Sequence, residues 1–196
     1  MILFFDTETT GLRPGQICQL SYVMQNGESL TARNLFFTVD YMEESAQAVH
    51  GFSLEKLKKL SNGKKFADYI DIIGKDFCSA DVVVAHNTAF DFSFMRAEFE
   101  RLGRVFSVKK EFCSMKKSTP ICKLVRASSG AYKYPKLSEL CCHFGIGNEQ
   151  ISNALFKVFG ASAGFHDARF DTTAVLLAVN KGMSEFGEYE EIKEFL

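Results

Sequence analysis

The chain opens on MILFF, apolar at every position, and runs straight into two carboxylates, Asp6 and Glu8, with one residue between them. An unbroken apolar run suits a central strand covered on both faces. Residues 1–6 are therefore expected to form one, ended by Thr9-Thr10-Gly11. Residues 16–26 (QICQLSYVMQN) and 30–39 (LTARNLFFTV) alternate only partly but read as two further strands, and Asn26-Gly27 between them is a strong hairpin signal. The pattern then changes period. Ser53 stands as an N-cap before LEKLKKL, residues 65–77 follow as an amphipathic helix, and VVVAH at 82–86 is a short run typical of a buried strand. TAFDFSFMRAEFERLG, residues 88–103, predicts a helix closed by Gly103. A last strand is expected at 110–113, and helices at 137–146 (LSELCCHFGI) and 166–183 (HDARFDTTAVLLAVNKGM). From Glu185 the chain carries five acids and one lysine yet keeps Phe186, Tyr189, Ile192 and Phe195, which fits either an acidic tail or a short packed helix.

This order of elements predicts an α/β fold, one mixed sheet with helices on both faces. No repeat, linker or low-complexity tract divides the chain, so residues 1–196 are expected to form a single domain with 185–196 as its tail. A composition of 46% hydrophobic and 24% charged residues excludes a disordered or fibrous chain. No apolar run approaches the roughly 20 residues of a membrane helix, and the N-terminus lacks the pattern of a signal peptide. The expectation is a cytoplasmic protein with no membrane partner. The six cysteines include no C-x-x-C spacing and read as free thiols in a reducing compartment.

Net charge is −1, but it is unevenly spread: residues 109–136 carry eight lysine or arginine side chains against the single acid Glu111. A basic segment on an otherwise acidic chain suits either a phosphate backbone or a solvated loop.

Candidate chemistry starts with the two acids. Strand side chains alternate, so Asp6 and Glu8 share a face while Thr7 points away, with the acids roughly 6–7 Å apart at Cα. Left alone they raise each other's pKa. A hard divalent cation with oxygen ligands removes the repulsion. Their place, where an apolar strand runs out, is where ligand crevices form in open α/β sheets. Asp91 falls near the start of the helix after VVVAH, where an acid suits the helix dipole in any protein. Asp167 is an N-cap candidate for the last long helix, and Asp171 lies inside it beside an apolar face, where a carboxylate needs a partner. His166, in the loop before that helix, is either an exposed loop histidine or a general base. Spacing does not show whether these groups meet.

Three motifs sharpen this picture. D-x-E-T-T-G at 6–11, H-N-x-x-F-D at 86–91 and H-D-A-x-x-D-T at 166–172 resemble, in the same order, the exonuclease motifs of the DnaQ-like (DEDDh) 3′–5′ exonuclease family. AVHGFS at 48–53 and KLSELCCHFGI at 136–146 add to the resemblance, whereas residues 147–164 form a longer segment than compact members carry. The resemblance implies an RNase H-like fold with strand order 3-2-1-4-5 and strand 2 antiparallel. It implies two divalent cations, Mg²⁺ or Mn²⁺, with Asp6 bridging both, Glu8 and Asp171 completing one site and Asp91 the other. His166 would take the proton from the attacking water, and nucleoside 5′-monophosphates would leave from the 3′ end. The backbone of the Thr9–Gly11 turn would meet the terminal 3′-hydroxyl, Val49, His50 and Phe52 would lie against the last nucleotide, and Asn87 near the phosphate. The D-T-E-T-T-G form resembles the proofreading branch, so single-stranded DNA is the expected substrate. RNase T-like trimming of RNA is the enzymatic alternative, and a catalytically silent nucleic-acid-binding module the non-enzymatic one. A polymerase subunit or a second copy of the chain is left open as a partner.

Overall fold

The computed structural model describes residues 1–195. Its five-stranded sheet is built from β1 (Ile2–Thr9), β2 (Ile17–Asn26), β3 (Ser29–Phe36), β4 (Val82–Ala85) and β5 (Glu111–Cys113), in the order β3-β2-β1-β4-β5. β2 is antiparallel to β1 and β3, while β1, β4 and β5 run parallel. Around it stand α1 (Glu44–His50), α2 (Leu54–Leu60), α3 (Ile70–Ser79), α4 (Thr88–Arg101), α5 (Ser114–Cys122), α6 (Leu137–His143), α7 (Asn148–Phe159), α8 (Ala168–Glu185) and α9 (Glu190–Lys193).

The apolar start of the chain is explained by its central place. Ile2 and Phe4 pack on one side with Leu140 and Phe144 and with Val175 and Val179 of α8. Leu3 and Phe5 pack on the other with Ile73 and Phe77 of α3 and Phe92 and Met95 of α4. Phe5 meets Phe77 and Phe92 edge-on at centroid distances of 5.1 and 5.5 Å. Parallel pairing with β4 spans only Ile2–Phe4, whereas antiparallel pairing with β2 continues to Thr9 through an irregularity at Glu8/Thr9. β1 therefore outruns its parallel neighbour and leaves a notch where Asp6 and Glu8 project. On the far side of the notch α4 is tied to the β1–β2 connection: Ile17 N–H donates to Glu98 at 2.8 Å, and Arg101 pairs with Glu98 and donates to the Gly15 carbonyl at 2.7 Å.

Several local expectations are corrected. β1 runs through Thr9 rather than ending at residue 6, because β2 keeps its ladder occupied. β3 ends at Phe36, and by Thr38 the backbone N–H has turned to the Lys64 carbonyl. The helix expected at 65–77 is a 3₁₀ turn, Phe66–Tyr69, followed by α3. α1 buries none of its residues, and α5 buries only Ser114 and Ser118, so neither carries an apolar stripe. Residues 147–164 contain α7, which buries Ile151 and Leu155 one turn apart. The tail is the short helix α9, with Tyr189 and Ile192 buried.

Candidate active site

α8 crosses the face of β1 that carries Ile2, Phe4, Asp6 and Glu8, and this brings Asp171 to the pair of acids. One ligand oxygen from each of Asp6, Glu8 and Asp171 lies within 4.8 Å of the others. Asp91 arrives from the opposite layer, on α4, and accepts a 2.8 Å hydrogen bond from the Thr7 hydroxyl. Thr7, which points away from the two acids, is thus the link that orients the fourth.

The electrostatics of the group are unfavourable in isolation. Burial, then the charges of Asp91, Asp171 and Glu8, pushes the Asp6 carboxyl well above the usual range. Burial and the Asp171 charge lift Glu8 to about 8. Burial raises Asp91 to about 7 against the restraining Thr7 hydroxyl, and burial with the Asp167 charge raises Asp171 to about 7. Among the described residues no ion pair reaches Asp6, Glu8, Asp91 or Asp171, and Arg169, the cation nearest in sequence to Asp171, is committed to Asp167 at 2.7 Å. Burial raises Asp167 too, but hydrogen bonds from Arg169 and Gln19 outweigh it and hold this carboxyl low. The donor set of buried, mutually repelling carboxylates fits hard divalent cations.

His166 lies in the loop before α8 with a left-handed backbone, φ +60°, which is uncommon outside glycine. That loop is clamped by Gln19, a fully buried β2 residue opposite Glu8. The Gln19 amide donates to Asn34 at 2.8 Å and to Asp167 at 2.9 Å, and its oxygen accepts from Ala168 N–H at 3.1 Å. Two of these three bonds hold the Asp167–Ala168 segment, and the third ties Gln19 to Asn34 of β3. Sequence reasoning missed Gln19 and Thr7; the visible signal was a polar side chain at a buried position in each of two strands, which has to be satisfied.

A groove opens on each side of the acids. The smaller, about 300 Å³, is lined by Glu8, Thr9, Gly11, Leu12, Val49, His50 and Phe90. Of the expected substrate contacts, Thr9, Gly11, Val49 and His50 line it. Phe52 is a correction: it is buried, with its ring stacked under His50 at 5.1 Å, so it backs the histidine instead of facing the groove. Phe52 N–H donates to His50 Nδ1 at 3.1 Å, which leaves Nε2 as the protonated nitrogen, donating to the Thr9 carbonyl at 3.2 Å. Asn87 caps α4 in a left-handed conformation, φ +82°, with no side-chain capping bond. The larger groove, about 830 Å³, is lined by Asp6, Asp171 and His166, by His86 and Lys136, and by apolar residues of α6, α7 and α8. The start of α7 therefore does form part of the rim.

The family model RNase_T, described as Exonuclease, matches residues 3–155, which include Asp6, Glu8 and Asp91. The DNA polymerase III subunit epsilon of Rickettsia felis is 32% identical over 163 residues, covering 78% of this chain and 67% of that protein. The same subunit of Rickettsia conorii is 31% identical over 163 residues, covering 78% and 66%. Among solved structures, the zinc-bound complex of Escherichia coli ExoI with single-stranded DNA matches with a TM-score of 0.70 at 16% identity, over 93% of this chain and 40% of that one. The nuclease domain of 3′hExo bound to rAMP matches with a TM-score of 0.60 at 11% identity, over 94% and 90%. The chain thus spans about two thirds of the epsilon subunits and well under half of ExoI.

Proposed function

This chain belongs to the exonuclease family, in its DnaQ-like, DEDDh class of 3′–5′ exonucleases, and from that premise we propose that it removes nucleotides from the 3′ end of single-stranded DNA as 5′-monophosphates. The observation that carries the reading is the meeting of Asp6, Glu8 and Asp171 within 4.8 Å beside the buried Asp91, with a groove on either side. In this reading Asp6, Glu8 and Asp171 would hold one divalent cation, and Asp6 with Asp91 would hold a second, magnesium or manganese. Bound there, the cations supply positive charge to the attacking and leaving oxygens of the phosphodiester. His166 accepts the proton of the attacking water on an imidazole nitrogen, and the 3′-oxygen of the next nucleotide leaves as the new end of the strand. The turn Thr9–Gly11, whose Thr9 carbonyl is fixed by His50, receives the terminal sugar, and Val49 and His50 flank the last base, with Asn87 toward the phosphate. DNA is favoured by the epsilon relatives, which also support association with a polymerase, and six free cysteines suit the cytoplasm.

The test uses 3′- or 5′-labelled single-stranded DNA and RNA with Mg²⁺, Mn²⁺ or EDTA, beside Asp6→Ala. Mononucleotide release that needs metal and disappears in the variant is expected. No release with either metal sinks the catalytic reading, persistence in Asp6→Ala sinks the site assignment, and faster release from RNA reverses the substrate.

A further inference from the structure

The eight cations of residues 109–136 do not form one strip. Lys109 is paired with Asp81 at 2.8 Å, Lys117 with Glu191 at 2.6 Å, and Lys110 donates to the Glu191 carbonyl at 2.7 Å. These three hold the sheet edge and the C-terminal helix. Residues 123–136 are different. They form a hairpin in which Val125 is bridged to Tyr132, Arg126 N–H donates to the Ala131 carbonyl at 2.8 Å and Lys133 N–H to the Leu124 carbonyl at 2.7 Å. Lys133 is engaged by Glu139 at 2.5 Å, but Lys123, Arg126 and Lys136 have no ion-pair partner among the described residues, and residues 112–138 contain no acid at all.

Three large side chains of the hairpin are uncovered: Val125 is 57% exposed, Tyr132 49% and Tyr134 51%. Val125 and Tyr132 are cross-strand neighbours, and Tyr134, two residues on, falls on the same side. At the hairpin's base the Pro135 carbonyl accepts from His86 Nε2 at 3.0 Å, and His86 and Lys136 line the larger groove together with Asp6 and Asp171. The aromatic and basic surface is therefore continuous with the candidate active site.

We propose that this hairpin grips the body of the single-stranded substrate on the 5′ side of the scissile phosphate. Tyr132 and Tyr134 stack on bases, while Lys123, Arg126 and Lys136 meet phosphates. Flat rings with free cations and no acid fit a polyanion with exposed bases, and stacking on any base makes such a grip tolerant of sequence. The proposal rests on the exonuclease reading for the identity of its ligand.

The experiment compares the full chain with Tyr132→Ala/Tyr134→Ala, Tyr132→Phe/Tyr134→Phe and Lys123→Ala/Arg126→Ala. Each is assayed on a long oligothymidylate and on the nitrophenyl ester of thymidine 5′-phosphate, and equilibrium binding of the long strand is followed against salt. The alanine tyrosine pair should raise KM and Kd for the long strand by at least about fivefold per ring lost. The phenylalanine pair should match wild type. The cation pair should flatten the salt slope by roughly 0.7 per phosphate contact. All variants should cleave the single-nucleotide ester at the wild-type rate. Unchanged KM, Kd and salt slope in both alanine pairs overturn the hairpin's role, as does equal loss on the ester. If wild type fails on the ester but binds the long strand through the hairpin, the catalytic reading falls and the grip stands.

Discussion

Glu8→Gln should stabilise the metal-free protein while disabling it. Glu8 is 8% exposed, and burial with the Asp171 charge raises its carboxyl from 4.5 to about 8. The folded state thus holds a proton that the unfolded chain has released over that interval, so stability falls as pH rises from about 4.5 to about 8. By neutral pH the retained proton has cost about 3 kcal/mol of stability as an upper bound, at 1.36 kcal/mol per pKa unit. The buried carboxamide returns about 1 kcal/mol of that for lack of partners. A net gain of about 2 kcal/mol corresponds to roughly 4–8 °C in a protein of this length. Thermal unfolding in EDTA across the pH range reads it: the variant should melt slightly lower near pH 4.5, where only the carboxamide penalty remains, cross the wild type at roughly pH 5 and melt progressively higher up to pH 8. Excess Mn²⁺ should reverse the order, since binding to the folded state alone adds about 2.7 kcal/mol at a hundred times Kd, and the wild type holds the fuller ligand set. Equal melting in EDTA at pH 8, or no response of the wild type to Mn²⁺, would refute the reasoning.

Gln19→Leu keeps the volume but strips two hydrogen bonds from the Asp167–Ala168 segment and one from Asn34 of β3; stability should fall by about 1–3 kcal/mol in denaturant titration, and kcat should fall more than KM rises. His50→Ala frees the Thr9 carbonyl and one wall of the smaller groove, so KM for single-stranded DNA should rise several-fold with the metal-dependent melting unchanged. Lys117→Ala should leave the salt slope of strand binding unaltered, because that charge is already spent on Glu191, and a flattened slope would show that it reaches substrate.

Much of the architecture was legible in local pattern. An apolar run with acids at its end marks a strand buried on both faces that outruns its neighbour, and the D-x-E spacing alone puts both carboxylates on one side. The order of the motifs, by resemblance, implied the sheet order that is observed. What pattern missed were elements that bury little: α1 shows no apolar stripe, α5 buries only serines, and the stripe of α7 is two residues long.

Convergence was a matter for the tertiary structure. Asp171 reaches Asp6 and Glu8 only because α8 packs across one face of β1, and Asp91 reaches the same notch from the other layer through Thr7. Phe52 sits beneath His50 because it is buried in a small cluster with Cys18, Val39 and Leu57, although the resemblance implied that Val49, His50 and Phe52 all face the last nucleotide. The basic segment divides for the same reason. Asp81 and Glu191 come from distant parts of the chain to claim Lys109 and Lys117, whereas no acid among the described residues folds back onto Lys123 or Arg126. Side-chain alternation and apolar periodicity act over a few residues and can be read along the chain. Which charges meet depends on layers packed against each other, and that is set by contacts between residues far apart in sequence.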